Sequence, residues 1–216
     1  MKKVLFIAAG LFLVLASVNT DSHATLLPIE GVKTDVELTS FSAISGLGIT
    51  LFPLGTATVD ASGKLPIISF PITGGTVNTD TGNALIEHQG SGFALANFKQ
   101  LDVVLLGNFL IDTNQSLLFG DVAFIDGLSS FGKAKDVALF DLVPFGNLFE
   151  VNLTGTAAGL LADVFEIPNL TGFQIGLASV DLKVGAAPVP EPATMLLLGL
   201  GLIGLAGYGR GKFKTN

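Results

Sequence analysis

Residues 100–126 read QLDVVLLGNFLIDTNQSLLFGDVAFID, and this stretch decides the fold. Val103 to Ile111 is apolar almost without a break. Such a run predicts a central strand covered on both faces. Asp112-Thr113-Asn114 interrupts it with short polar side chains, and Ser116 to Asp126 resumes the pattern. Two apolar runs around a short polar break predict an antiparallel hairpin.

The same alternation of short apolar runs with Gly, Asn, Asp and Pro extends outward in both directions. Upstream, strands are expected at Thr34–Ile44, Ile49–Phe52, Lys64–Thr73, Asn83–Gln89 and Gly92–Leu95. Downstream, they are expected at Asp136–Leu142, Leu148–Leu153 and Gly172–Val184. Pro53, Pro66, Pro71, Pro144 and Pro168 fall at ends or edges of these segments, where a missing N–H is tolerated. One stretch competes as a helix: Thr156–Phe165 places Ala157, Leu160, Leu161 and Val164 at helical spacing. The expected fold is mainly β, an antiparallel β-sandwich or an elongated two-sheet domain.

Both ends of the chain carry transport features. Lys2 and Lys3 precede an apolar run from Val4 to Val18, and Ser22-His23-Ala24 supplies small residues for a cut. These are the parts of a secretory signal peptide, 1–24, with cleavage between Ala24 and Thr25 and an earlier cut after Ala16 as the alternative. At the other end Pro190-Glu191-Pro192 precedes an uncharged apolar segment, 193–209, and then Arg210, Lys212 and Lys214. The apolar segment is at the short end of what crosses a hydrocarbon core of about 30 Å. The basic residues are expected to remain cytoplasmic as a stop. The exported β-rich domain is then 25–187, and 188–216 is a sorting segment.

Between residues 25 and 187 there are 16 acidic and 6 basic side chains, a balance of −10. That surface excludes nucleic acid as a partner, because phosphate contacts need Lys and Arg. The chain has no cysteine, so burial and hydrogen bonds hold the exported domain without disulfides. It has no tryptophan, and its one tyrosine is Tyr208.

Few residues have catalytic potential. His88 is the single histidine beyond residue 24. Glu87 cannot orient it, because consecutive strand residues point to opposite faces, and no serine stands in a Gly-x-Ser-x-Gly elbow. His88 is therefore read as a surface or structural residue and the chain as not an enzyme; a secreted hydrolase with an unrecognised site is an alternative. Asn78-Thr79-Asp80-Thr81-Gly82-Asn83 alternates oxygen donors around a glycine, as calcium loops do. It lacks a closing glutamate and equally suits a hairpin turn. No cofactor is expected, with a calcium- or glycan-binding module at Asn78, Asp80 and Asn83 as the other alternative.

The C-terminal pattern resembles the PEP-CTERM sorting signal of Gram-negative exopolysaccharide-producing bacteria. The resemblance implies an exosortase, a membrane-embedded protease, acting near Pro190-Glu191-Pro192. It implies an intermediate held in the inner membrane, then display at the cell surface or in the extracellular matrix, associated with exopolysaccharide or biofilm. A second resemblance rests on Phe70-Pro71-Ile72-Thr73-Gly74-Gly75, on Ala84 to Gly92 and on Leu106 to Asp112, which is similar to HtaA-type β-rich surface domains. Haem-binding members of that family place tyrosine at the iron. The exported segment has none, so haem is not carried over.

Overall fold

A computed structural model describes residues 26–127 and 130–186. The expected signal peptide and its expected cleavage point at Ala24 and Thr25, the Pro190-Glu191-Pro192 motif, the 193–209 segment and the basic residues 210, 212 and 214 lie outside them. The described chain is a run of antiparallel strands in one sheet. In order they are β1 (Leu26–Glu37), β2 (Thr50–Gly55), β3 (Thr58–Asp60), β4 (Ile67–Pro71), β5 (Gly74–Asn78), β6 (Ala84–Asn97), β7 (Asp102–Asp112), β8 (Leu117–Asp126), β9 (Ser130–Phe145), β10 (Leu148–Leu153) and β11 (Gln174–Val184). Two helices interrupt them, α1 (Phe41–Gly46) after β1 and α2 (Gly155–Phe165) after β10.

From β5 to β11 each strand pairs with its sequence neighbour, as a meander. The first strand then pairs with the last: Ile29 faces Val184 and Glu37 faces Leu177. The other edge of β1 meets β4 at residues 33–37 and β5 at residues 26–28. The sheet thus closes on itself, which removes exposed edges around most of its circumference. Two separately bonded sheets were expected; one continuous closed sheet is found, because the β1–β11 seam joins what would otherwise be two edges. Pro53 lies in β2, which pairs only with β6, an edge position of the kind that tolerates proline.

The 103–126 hairpin forms as expected, with Asp112 across from Leu117. Asp112 Oδ1 accepts from the Asn114 and Gln115 amides at 2.9 and 3.1 Å. The Val103–Ile111 strand is not covered on both faces, however. Val104, Leu106, Phe109 and Ile111 are buried, whereas Leu105 and Asn108 on the other side are exposed. Its continuous apolar character reflects greasy residues on the wet face. Thr34–Ile44 is also corrected: the strand ends at Glu37 and Phe41–Gly46 turns as a helix that buries Ile44. Ser40 anchors that turn by donating from Oγ to the Gln174 carbonyl at 2.6 Å. The 83–89 and 92–95 segments are one strand, β6, broken by a bulge between His88 and Gly92.

Helix α2 matches expectation. Thr154 caps it, accepting from the Ala157 amide at 3.1 Å and donating to the Ala138 carbonyl at 2.7 Å. Ala157, Ala158, Leu161, Val164 and Phe165 are buried, so the helix closes one end of the interior with an apolar stripe.

Candidate functional site

The most deeply buried polar residue among those described is His88 on β6. Only 1% of it is exposed, because strand alternation turns it inward from between Glu87 and Gln89. Its Nε2 lies 2.8 Å from Oγ1 of Thr34, itself buried on β1. Its Nδ1 has no hydrogen-bond partner. Phe70 meets the imidazole edge-on at 6.4 Å, and Phe109 meets Phe70 edge-on at 5.2 Å. Burial among these rings pulls the His88 pKa from 6.5 down to about 4, with the Phe109 backbone acting more weakly in the opposite sense. The ring is therefore neutral at ordinary pH.

Beside it is a cavity of about 70 Å³, whose lining is apolar except for Thr34 and His88. Sites for drug-sized ligands run from about 300 to 1,000 Å³, so this space is small. No carboxylate lines it, so none is placed to orient the ring, and the Thr34 hydroxyl that meets Nε2 is itself buried. The reading of His88 as structural fits this geometry, but it is a core residue and not a surface one. The strand period put Glu87 and His88 on opposite faces; that His88 is on the inner one comes from the fold.

The Asn78–Asn83 segment is the β5–β6 turn. Asn78 Oδ1 accepts from the Asp80 and Thr81 amides at 2.9 and 3.2 Å. Gly82 takes a positive φ of 75°, and the Asn78 amide donates to the Asn83 carbonyl at 2.8 Å. Asn83 Nδ2 donates to Asn114 Oδ1 at 2.9 Å, tying this turn to the β7–β8 turn. Two of the three residues singled out for calcium thus have their side-chain amides engaged in holding turns. No cluster of three or more His, Asp or Glu suited to a metal occurs among the described residues.

A polar line also crosses the outer wall where bulges in β6 and β7 align. Asn108, at φ 51°, accepts from the Gly90 amide at 2.9 Å and donates to Asp121 Oδ2 at 2.9 Å. No single motif in the sequence marks this line.

Residues 188–210 carry the PEP-CTERM protein-sorting motif. That motif marks an exported chain that transits the membrane and engages an exosortase. No curated protein sequence matches the chain. Among solved structures, the C-terminal domain of HtaA from Corynebacterium glutamicum is similar with a TM-score of 0.53 at 12% identity, covering 73% of this chain and 99% of that one. The heme binding protein HtaB from the same organism gives 0.52 at 10% identity, with 74% and 96% covered. The N-terminal domain of HtaA gives 0.52 at 14% identity, with 72% and 99% covered. At these identities the likeness shows the fold. It agrees with the HtaA-like pattern read around residues 70–112.

No helix among the described residues is long and apolar enough to cross a membrane, which says nothing of strands.

Proposed function

We propose that this chain is a non-catalytic protein of the cell envelope or extracellular matrix, delivered by an exosortase and displayed within exopolysaccharide or biofilm. The observation that carries the reading is the sorting motif at 188–210. The mechanism is address followed by display. The N-terminal segment directs export, the 193–209 segment holds the intermediate in the inner membrane, and the protease acts near Pro190-Glu191-Pro192. The closed sheet in front of it is the cargo. Its acidic balance favours solubility among neutral glycans. Its one described histidine is enclosed by core side chains, which supports a role without catalysis.

Haem, which HtaB is named for binding, does not fit these residues. Haem iron takes His, Cys, Met or Tyr as its protein ligand. Residues 26–186 contain no Cys, Met or Tyr and one histidine. That histidine is enclosed beside a cavity of only about 70 Å³, with Nε2 against Thr34.

The test is the intact mass of the protein recovered from culture medium and from membranes, in hosts with and without the sorting protease. Loss of the C-terminal segment only where the protease is present supports the reading. An unchanged C-terminus in both hosts rejects it.

A further inference from the structure

Three Asn-x-Ser/Thr triplets occur in the described chain: Asn114-Gln115-Ser116, Asn152-Leu153-Thr154 and Asn169-Leu170-Thr171. On the surface of an exported protein such a triplet is an acceptor for an N-linked glycan. Transfer needs a reachable Asn Nδ2 and, two residues later, a hydroxyl that an enzyme can grip. The fold treats the three triplets differently.

Asn152 lies within the sheet, half-buried on β10 between Asp141 of β9 and Gln174 of β11. Its Thr154 is buried, and the hydroxyl is already used by the Ala157 amide and the Ala138 carbonyl. Asn169 is exposed, but its triplet is closed on itself. Thr171 donates to Asn169 Oδ1 from Oγ1 at 2.6 Å and from its amide at 2.9 Å. Pro168 stiffens the chain just before it.

Asn114 is open. Asn114, Gln115 and Ser116 form the β7–β8 turn, and all three are exposed. The turn is held from below, where Asp112 accepts from two of its amides and Thr113 Oγ1 accepts from the Ala84 amide at 2.7 Å. Asn114 engages its side chain through Oδ1, which accepts from Asn83 Nδ2 at 2.9 Å. Its Nδ2 and the Ser116 hydroxyl have no hydrogen-bond partner among the described residues. The space alongside is clear: a Cβ added at Gly82, in the turn that Asn83 ties to this one, would meet nothing within 4 Å.

We propose that Asn114 carries an N-linked glycan, transferred by an oligosaccharyltransferase from a polyprenyl-diphosphate-linked oligosaccharide. The bond from Nδ2 to the anomeric carbon forms as the bond from that carbon to the diphosphate oxygen breaks. The lipid diphosphate leaves with the electron pair, and a proton passes from Nδ2 to a base of the transferase. The proposal rests on the export reading, because the donor is presented beyond the cytoplasm. It gives the displayed domain a covalent carbohydrate at one turn, with no need of a glycan-binding cleft.

Trypsin separates the acceptors. Consecutive lysines at 99, 133, 135 and 183 place Asn114 in peptide 100–133 and both other triplets in peptide 136–183. The full chain is expressed in the organism that makes it, recovered from medium and membranes, digested and weighed. Peptide 100–133 is expected to carry an added oligosaccharide mass and to release sugar ions on fragmentation, with 136–183 at its sequence mass. Asn114→Gln and Ser116→Ala are each expected to lose the added mass, and Ser116→Thr to keep it. An exported chain whose 100–133 peptide is unmodified overturns the proposal. So does sugar on 136–183 alone, or sugar on 100–133 that persists in Asn114→Gln. The C-terminal mass of the same samples reports on sorting independently: an uncut C-terminus on a glycosylated chain counts against sorting alone, and chains found only in the cytoplasm overturn both readings.

Discussion

Acidification acts on the interior through His88. Its folded pKa is about 4 against 6.5 for the free imidazole, so the unfolded chain binds the proton more readily. Stability from this group is therefore fully present above pH 6.5, falls as pH drops towards 4, and is constant below that. At 1.36 kcal/mol per pKa unit, the interval corresponds to a loss of about 3 kcal/mol. Against a typical total of roughly 5–15 kcal/mol this is large. No carboxylate lines the cavity to offset it: Thr34 is the other polar side chain there, and Phe70, Phe93, Phe109 and Phe140 line it as well. The same segment, 25–187, carries 16 carboxylates, so the informative quantity is a difference. His88→Gln keeps a side chain able to bond Thr34 but carries no titrating proton. Urea unfolding of both proteins at intervals from pH 7 to pH 4 gives two stability curves. They are expected to converge by about 3 kcal/mol as pH falls, with the native chain losing more. Parallel curves would refute the assignment of a neutral, desolvated imidazole at this position.

Thr154→Ala removes both the α2 cap and the bond to the Ala138 carbonyl, and should lower unfolding free energy by about 1–2 kcal/mol in the same urea assay. Gly75→Ala should destabilise more than a surface change, beyond about 1 kcal/mol. Gly75 holds φ 133°, and a Cβ there would approach the Leu85 carbonyl oxygen to 2.1 Å, so the β5–β6 pairing must open; loss of amide exchange protection at residues 84–87 is the measurement.

What local pattern determines was legible in the residues. The 103–126 hairpin needs only two apolar runs and a polar break, and α2 needs only its spacing and the Thr154 cap. Segments stabilised by distant partners were not legible. Leu26–Lys33 has no alternating pattern, yet it is a strand because β11 and β5 hydrogen-bond to it. Gly74–Asn78 opens with two glycines and has poor strand character by composition, yet it is held between β1 and β6. Phe41–Ile44 looked like the end of a strand because Phe and Ile suit both periods; the helix forms where Ser40 is pinned to Gln174. At the candidate site, strand alternation separated His88 from Glu87, but only the closed sheet shows that His88 is inside and that Thr34 meets it. The outer apolar rows were visible as hydrophobicity and were assigned to burial, since a single strand cannot reveal that its neighbours carry greasy residues on the same wet side.

The seam between β1 and β11 also governs when the fold can be completed. Ile29 and Val184 meet across nearly the whole described chain, and the Gly185 amide reaches back to the Pro28 carbonyl at 2.8 Å. Closing so long a loop is entropically costly and kinetically slow. A chain emerging from a channel with its N-terminus first would present β1 early and wait for its sealing partner until the end. Completion of the native state is thereby timed to the last stage of passage, and a truncation before residue 174 would leave β1 with an open edge, ready to pair with another molecule.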